Sequence, residues 1–197
     1  MEDELIYLPQ MLLIGSSGRN SGKTTLAAGL IRQWKDKFPI IALKITTIEE
    51  KNGKCHRGGS GCGVCTNIKE NFELIEEKIS KGNKDTSLLL AAGAERVYWL
   101  KVLKTHIKEG IENFLAEISK NNLIICESNS LRNIVKPGAF IMLKNTQNST
   151  IRKSAREVMD KADLIVEGDF RDNIENIIDD IKVNKIQECL SIGIKSI

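Results

Sequence analysis

The stretch Leu12 to Ile31, LLIGSSGRNSGKTTLAAGLI, constrains the fold of this chain more than any other. An apolar run, read as a strand from about Met11 to Gly15, enters a cluster of Gly, Ser and Asn. Gly22-Lys23-Thr24-Thr25 then opens a helix expected from Lys23 to about Lys37, with Leu26, Leu30, Ile31 and Trp34 near helical spacing and Pro39 ending it. A loop passing from strand to helix turns several backbone N–H groups inward, and the helix N-terminus adds positive dipole character, so the segment has the form of a phosphate cradle. In such a loop Lys23 supplies a charge to the β- and γ-phosphates and Thr24 a hydroxyl for Mg²⁺. The usual pattern is Gly, four residues, then Gly-Lys-Ser/Thr, and its first Gly falls here on Ser17, bracketed by Gly15 and Gly18. Either Ser17 takes the strained turn or the loop is longer. The alternative is a Gly-rich turn capped by Ser21 or Asn20.

The rest of the chain repeats the alternation of strand and helix. Strands are expected at Ile40–Thr46, Arg96–Val102, Leu123–Glu127, Ala139–Leu143 and Leu164–Glu167. Helices are expected between Lys84 and Gly93, at Thr105–Ser119, at Thr150–Lys161 and at Asp172–Ile181. Asn71–Ile79 fits either a strand, through the alternation of Phe72 and Leu74, or a helix, and the tail to Ile197 carries no clear pattern. Apolar strands alternating with amphipathic helices predict an α/β fold with a mainly parallel sheet flanked by helices on both faces. Such sheets bind ligands beyond the carboxyl ends of their strands, which is where Gly22-Lys23-Thr24 lies. At 197 residues the chain is read as a single nucleotide-binding domain, residues 1–197, long enough to bury a proper core.

A phosphate cradle needs an acidic partner, because Mg²⁺ takes one or two carboxylates beside phosphate oxygens and water. Glu127, at the carboxyl end of the buried strand in LIICESNS, is the first candidate. Asp85 is a second carboxylate or the N-cap of the helix that follows it. Glu167 and Asp169 also follow a strand and read as solvated or capping residues. Asn145, in LKNTQNS, follows another strand, where it would hydrogen-bond a purine edge or serve as turn chemistry. The expected nucleotide contacts are therefore Gly18, Arg19, Asn20, Ser21, Gly22, Lys23, Thr24, Thr25 and Asn145. Lys23, Glu127 and Asp85 are the expected catalytic groups, and Thr24, Glu127 and Asp85 the Mg²⁺ ligands.

Five cysteines are present, and three crowd into CHRGGSGCGVC as Cys55, Cys62 and Cys65, inside a segment of about residues 47–66 read as an insertion. Thiolates at this spacing select Zn²⁺ or an iron–sulfur cluster, with free or redox-active thiols as the alternative. A fourth ligand would come from His56, a partner chain or substrate. Cys126 precedes Glu127 in a buried strand and reads as core. His106, near a helix start, reads as capping or solvated. A net charge of +3 without a basic stripe argues against nucleic acid as partner. The acidic start MEDELIYLPQ and the lack of a long apolar run predict a cytoplasmic protein that does not cross a membrane.

GRNSGKTTL resembles the loop of the molybdopterin-guanine dinucleotide biosynthesis protein B (MobB) family, with Arg19 at that family's basic loop position. KDTSLLLAAGA is similar to its Asp-Ser to Ala-Gly-Ala stretch, pairing Asp85 and Ala92-Gly93-Ala94 with it. ALKITT, LIICESNSL and KPGAFIML resemble, more weakly, its second strand end, its acidic strand end and its Pro-containing segment; Thr46 and Thr47 stand where that family carries histidines. The likeness runs from about residue 11 to 167. It implies the phosphate-loop NTPase fold and a GTP-binding, weakly hydrolysing accessory protein of molybdenum cofactor maturation; the residues themselves, with no Asn-Lys-x-Asp signature and with the cysteine cluster inserted, leave ATP and another metallocofactor open. It also implies a cofactor-biosynthesis protein as partner and a homodimeric state. Two rival readings are a nucleotide-switched metal carrier or docking module working through the cysteine cluster, and a dethiobiotin-synthetase-like kinase or ligase.

Overall fold

The computed structural model describes residues 4–49, 68, 70–145, 150–170, 174–187 and 189–195. The elements run β1 (Ile6–Ser16), α1 (Lys23–Trp34), β2 (Ile40–Ile48), β3 (Phe72–Glu76), α2 (Asp85–Ala91), β4 (Arg96–Leu103), α3 (Ile107–Ala116), β5 (Leu123–Glu127), β6 (Val135–Lys144), α4 (Lys153–Arg156), β7 (Leu164–Glu167), α5 (Ile174–Asp179), β8 (Ile181–Ile186) and β9 (Cys189–Ile194). The first seven strands form one sheet in the order β3-β4-β2-β5-β1-β6-β7. All neighbours in it are parallel except β3, which lies antiparallel on the β4 edge.

Successive side chains of a strand point to opposite faces of a sheet, and β1 applies this directly. Leu12 and Ile14 join Ala42, Ile125 and Ile141 against Leu26, Leu30 and Ile31 of α1 in one buried cluster. Met11 and Leu13 join Leu43, Ile124 and Phe140 against Ile107, Ile111 and Phe114 of α3 in the other. Both faces of the sheet are therefore covered, which is why β5 reads as an unbroken apolar run, LIIC, before Glu127. Each fully buried leucine or isoleucine contributes roughly 1.5–3 kcal/mol, so these two clusters dominate the stability of the sheet.

The α/β architecture and its mainly parallel sheet agree with the sequence reading; several boundaries differ, for identifiable reasons. α1 ends at Trp34, three residues before Lys37, because Lys37 and Phe38 both donate their N–H groups to the Trp34 carbonyl and turn the chain ahead of Pro39. β1 begins well before Met11. Its pairing with β6 shifts register between Leu8 and Leu12, where Pro9 sits. Opposite this irregularity a Cβ on Gly138 would lie 2.1 Å from the Pro9 carbonyl oxygen, so only glycine fits. The helix expected over Thr150–Lys161 shrinks to the single turn of α4 and a 3₁₀ turn at Met159–Lys161. Arg152 is extended there and its N–H donates to the Ser17 carbonyl, so the helix cannot start earlier. α5 stops at Asp179, and Ile181 instead opens β8. The tail forms the β8–β9 hairpin, whose Ile181, Leu190 and Ile192 pack onto the α1 face.

Within Asn71–Ile79, Phe72–Glu76 forms strand β3 and no helix. Phe72 and Leu74 pack against the α3-side core, while Glu73 and Glu76 reach across to cations of β4. Glu76 accepts hydrogen bonds from Arg96 Nε at 3.1 Å and Nη2 at 3.3 Å and pairs with Lys78 at 2.7 Å. The Arg96 hydrogen bonds first, then the one from Lys78, hold the Glu76 carboxyl down to about 2. A carboxyl with lower proton affinity folded than unfolded adds stability above its ordinary value of 4.5 and loses that contribution as pH falls toward about 2. Glu76→Gln is therefore expected to lower the urea midpoint modestly at neutral pH, the pair being partly exposed and screened. Denaturation series at descending pH should show the gap from wild type closing below 4.5. A gap that stays constant with pH would refute the role of the charge.

Candidate functional site

The strand register assembles the site. Ser16 ends β1, Glu127 ends β5 next to it, and Lys44 of β2 is the register partner of Glu127 on the far side. By the alternation that puts Ile14, Ile125 and Ala42 in the α1-side core, Ser16, Glu127 and Lys44 project to that same face, beyond its apolar floor. The N-terminus of α1 comes down on them. A cleft of about 840 Å³ opens there. Its lining includes Gly18, Arg19, Asn20, Ser21, Gly22, Lys23, Thr24, Thr25, Asp85 and Glu127, so these residues, distant in sequence, are brought together. Asn145 is not among the lining residues; its backbone N–H donates to Ser17 Oγ at 3.0 Å.

The loop is held from three sides. The Ser16 N–H donates to Asn129 Oδ1 at 2.8 Å, and Asn129 Nδ2 returns a bond to the Ser16 carbonyl at 2.9 Å, so one side chain extends the strand pairing past the end of β5. Ser17 donates its N–H to the Leu143 carbonyl at 2.9 Å and accepts the Arg152 N–H at its own carbonyl at 3.0 Å. Its hydroxyl takes the Asn145 N–H, a bond that a glycine could not accept. Of the two alternatives for Ser17, the strained turn is excluded: the left-handed positions of the loop are Asn20, φ 53°, and Gly22, φ 81°. Asn tolerates this conformation and Gly adopts it freely. At Gly22 a Cβ would also lie 2.7 Å from the ring of buried Phe170, so glycine is required twice over.

Gly22 is the N-cap of α1 and no side chain caps the helix, so Ser21 and Asn20 do not act as caps. Lys23 Nζ donates to Ser16 Oγ at 2.7 Å, which folds the side chain back along the loop. Burial lowers the proton affinity of Lys23; Glu127 opposes this, and Lys44 and Arg152 add to it. Thr24 Oγ1 donates to Glu127 Oε2 at 3.2 Å. Glu127 is only 4% exposed, and its Oε1 has no hydrogen-bond partner. Its proton affinity is raised by burial, against the opposing pull of Lys44, Lys23 and the Thr24 hydroxyl. Asp85 opens α2, with Lys84 rather than Asp85 at the N-cap, and its carboxylate pairs with Lys44.

Among the described residues, five cationic side chains line the cleft, Arg19, Lys23, Lys44, Lys84 and Arg152, against the two carboxylates Asp85 and Glu127. A lining of this sign in a concave site draws anions. Sequence reasoning did not single out Ser16, Lys44, Arg152 or Asn129 as site residues. Asn129 stands two residues after Glu127, a signal that strand-end reading overlooks; Arg152 carries none, since only folding brings it beside Ser17.

Glu167 pairs with Lys144 at 2.8 Å on the surface. Cys126 is buried in the α3-side core. His106 closes a 3₁₀ turn beside Thr105, whose hydroxyl lies 2.9 Å from Nδ1. Cys55, His56, Cys62 and Cys65 lie outside the described residues. Among the described residues, no group of three or more His, Cys, Asp or Glu side chains is placed to hold a metal ion, and no helix is long and apolar enough to cross a membrane. Comparison of the chain with protein-family models, with curated proteins and with solved structures finds no match.

Proposed function

We propose that this chain is a phosphate-loop protein that binds a nucleoside triphosphate, GTP or ATP, with Mg²⁺ and hydrolyses it slowly. The observation that carries the reading is one convergence. The uncapped N-terminus of α1, the Lys23 ammonium and the Thr24–Glu127 pair, with Glu127 Oε1 unpartnered and buried, face a single cationic cleft. Backbone N–H groups at the start of α1 would receive phosphate oxygens, and Lys23 would leave Ser16 Oγ to neutralise the β- and γ-phosphates. The donor set fits Mg²⁺: a hydroxyl and an orphaned carboxylate oxygen suffice, because phosphate oxygens and water complete its shell. Bound there, Mg²⁺ would neutralise charge on the transferring phosphoryl group. Thr24 and Glu127 would hold it, with Asp85 within the same cleft. The likeness of Arg19–Thr25 and Ala92–Ala94 to the molybdopterin-guanine dinucleotide biosynthesis protein B family supports a place in metallocofactor assembly.

Calorimetric titration with non-hydrolysable GTP and ATP analogues, with and without Mg²⁺, tests this reading. Saturable one-to-one binding that tightens with Mg²⁺ is expected, and absence of binding by both analogues would overturn it.

A further inference from the structure

We propose that Lys44 is a second phosphate-directed cation that reads the terminal phosphate, and that Asp85 holds it in place until that phosphate arrives. This rests on the triphosphate reading above.

Lys44 stands apart from the loop strand. It lies in β2, two strands from β1, with β5 and Glu127 between. Strands are spaced about 4.8 Å apart, so Lys44 is displaced from the loop strand by about 10 Å across the sheet. On the opposite side of β1, the connection from β6 to β7 brings Arg152, whose N–H bonds the Ser17 carbonyl, and Ser154 to the cleft wall. A nucleotide whose nucleoside lies on the β6 side must run its phosphates over the α1 N-terminus toward β5 and β2. The phosphate nearest Lys44 is then the one farthest from the nucleoside.

The charge arrangement gives the same direction. Lys44 is largely buried, with its side chain 25% exposed, and burial lowers its proton affinity while Glu127 supports its charge. A lysine held in such a place is costly unless it has an anion to meet. The anion it meets is Asp85, whose own side chain is 42% exposed and so has water as an alternative partner. A phosphoryl oxygen that displaces Asp85 leaves that carboxylate solvated and gives the more buried Lys44 the stronger counter-charge. Asp85 is also the first residue of α2, and Leu89 of that helix packs in the α1-side core. Loss of the Lys44–Asp85 pair therefore releases the Asp85 side chain when a triphosphate is bound, and not when a diphosphate is, while buried Thr86, bonded to Glu77 at 2.8 Å, and Leu89 keep α2 in place.

The test compares nucleoside triphosphate analogue and diphosphate affinities in the full-length protein by calorimetry. Lys44→Met is expected to weaken triphosphate binding by about tenfold or more, the usual scale for one charge-assisted contact, and to change diphosphate binding by about twofold or less. Lys44→Arg, which keeps the charge, should retain most of the preference. It also serves as the measurement if the methionine variant does not fold. Equal losses for both nucleotides in Lys44→Met, or no loss for either, would overturn the proposal and leave Lys44 a structural partner of α2. A wild-type protein that binds neither nucleotide would instead overturn the reading on which this proposal stands.

Discussion

Lys23→Ala is expected to weaken triphosphate binding by about 100-fold or more, enough to remove a calorimetric signal at micromolar protein. A charge-assisted hydrogen bond contributes about 1.5–3 kcal/mol, and each 1.4 kcal/mol is a factor of ten in affinity. Lys23 is a strong case because its ammonium is already drawn into the cleft, with burial depressing its proton affinity. Its only hydrogen bond among those described is the one to Ser16 Oγ. The ligand-free variant should unfold close to wild type, since the lost hydrogen bond is offset by relief of a buried charge and Lys44 stays near Glu127. Thermal melts separate the two effects. Wild type should be stabilised by saturating nucleotide, by about 2.7 kcal/mol at a hundredfold excess over Kd, whereas Lys23→Ala should show no such gain. Unchanged affinity would remove Lys23 from the site and the phosphate cradle with it.

The second large effect belongs to Glu127→Gln. Glutamine keeps the shape and can still accept the Thr24 hydroxyl, so the loop should stay as it is. With its one oxygen kept on Thr24, the amide places an NH₂ where the unpartnered Oε1 stood, a donor that neither ligates a metal nor accepts from water. Turnover is expected to fall by about 100-fold, in the range seen when one preorganised electrostatic group is removed. The sign of the binding change is the sharper measurement. With Mg²⁺ present, triphosphate affinity should drop. With the metal chelated it should hold or rise, because an anion has been taken from beneath the phosphates. An unaltered Mg²⁺ dependence would show that Glu127 is a buried strand-end carboxylate and nothing more.

The sheet was legible because its strands are buried on both faces, and a run such as LIIC admits little else. Boundaries were less legible where a distant group intervened. The helix over Thr150–Lys161 has the right local pattern, but the Arg152 N–H is claimed by Ser17, far away in sequence. The tail hairpin was invisible for a related reason. Its apolar residues acquire meaning only by packing onto a face built from earlier elements. In the cleft, residues close to one another in sequence, Gly18 to Thr25, were found together, and Glu127 was found from its strand end. Lys44 and Asn129 needed the strand order, and Ser17 needed its three partners, before a serine at the place of a glycine made sense.

By itself, then, the sequence determined that a strand enters a Gly-rich loop and a helix, and that a carboxylate ends a buried strand, because both follow from local periodicity and from the special backbone freedom of glycine. Only the tertiary structure decided that Glu127 lies under Thr24, that Lys44 faces Glu127 and holds Asp85, and that the left-handed turns fall on Asn20 and Gly22. Those outcomes depend on which strands are neighbours and in what register. That choice is made by the packing of both sheet faces together, which no single stretch of the chain encodes.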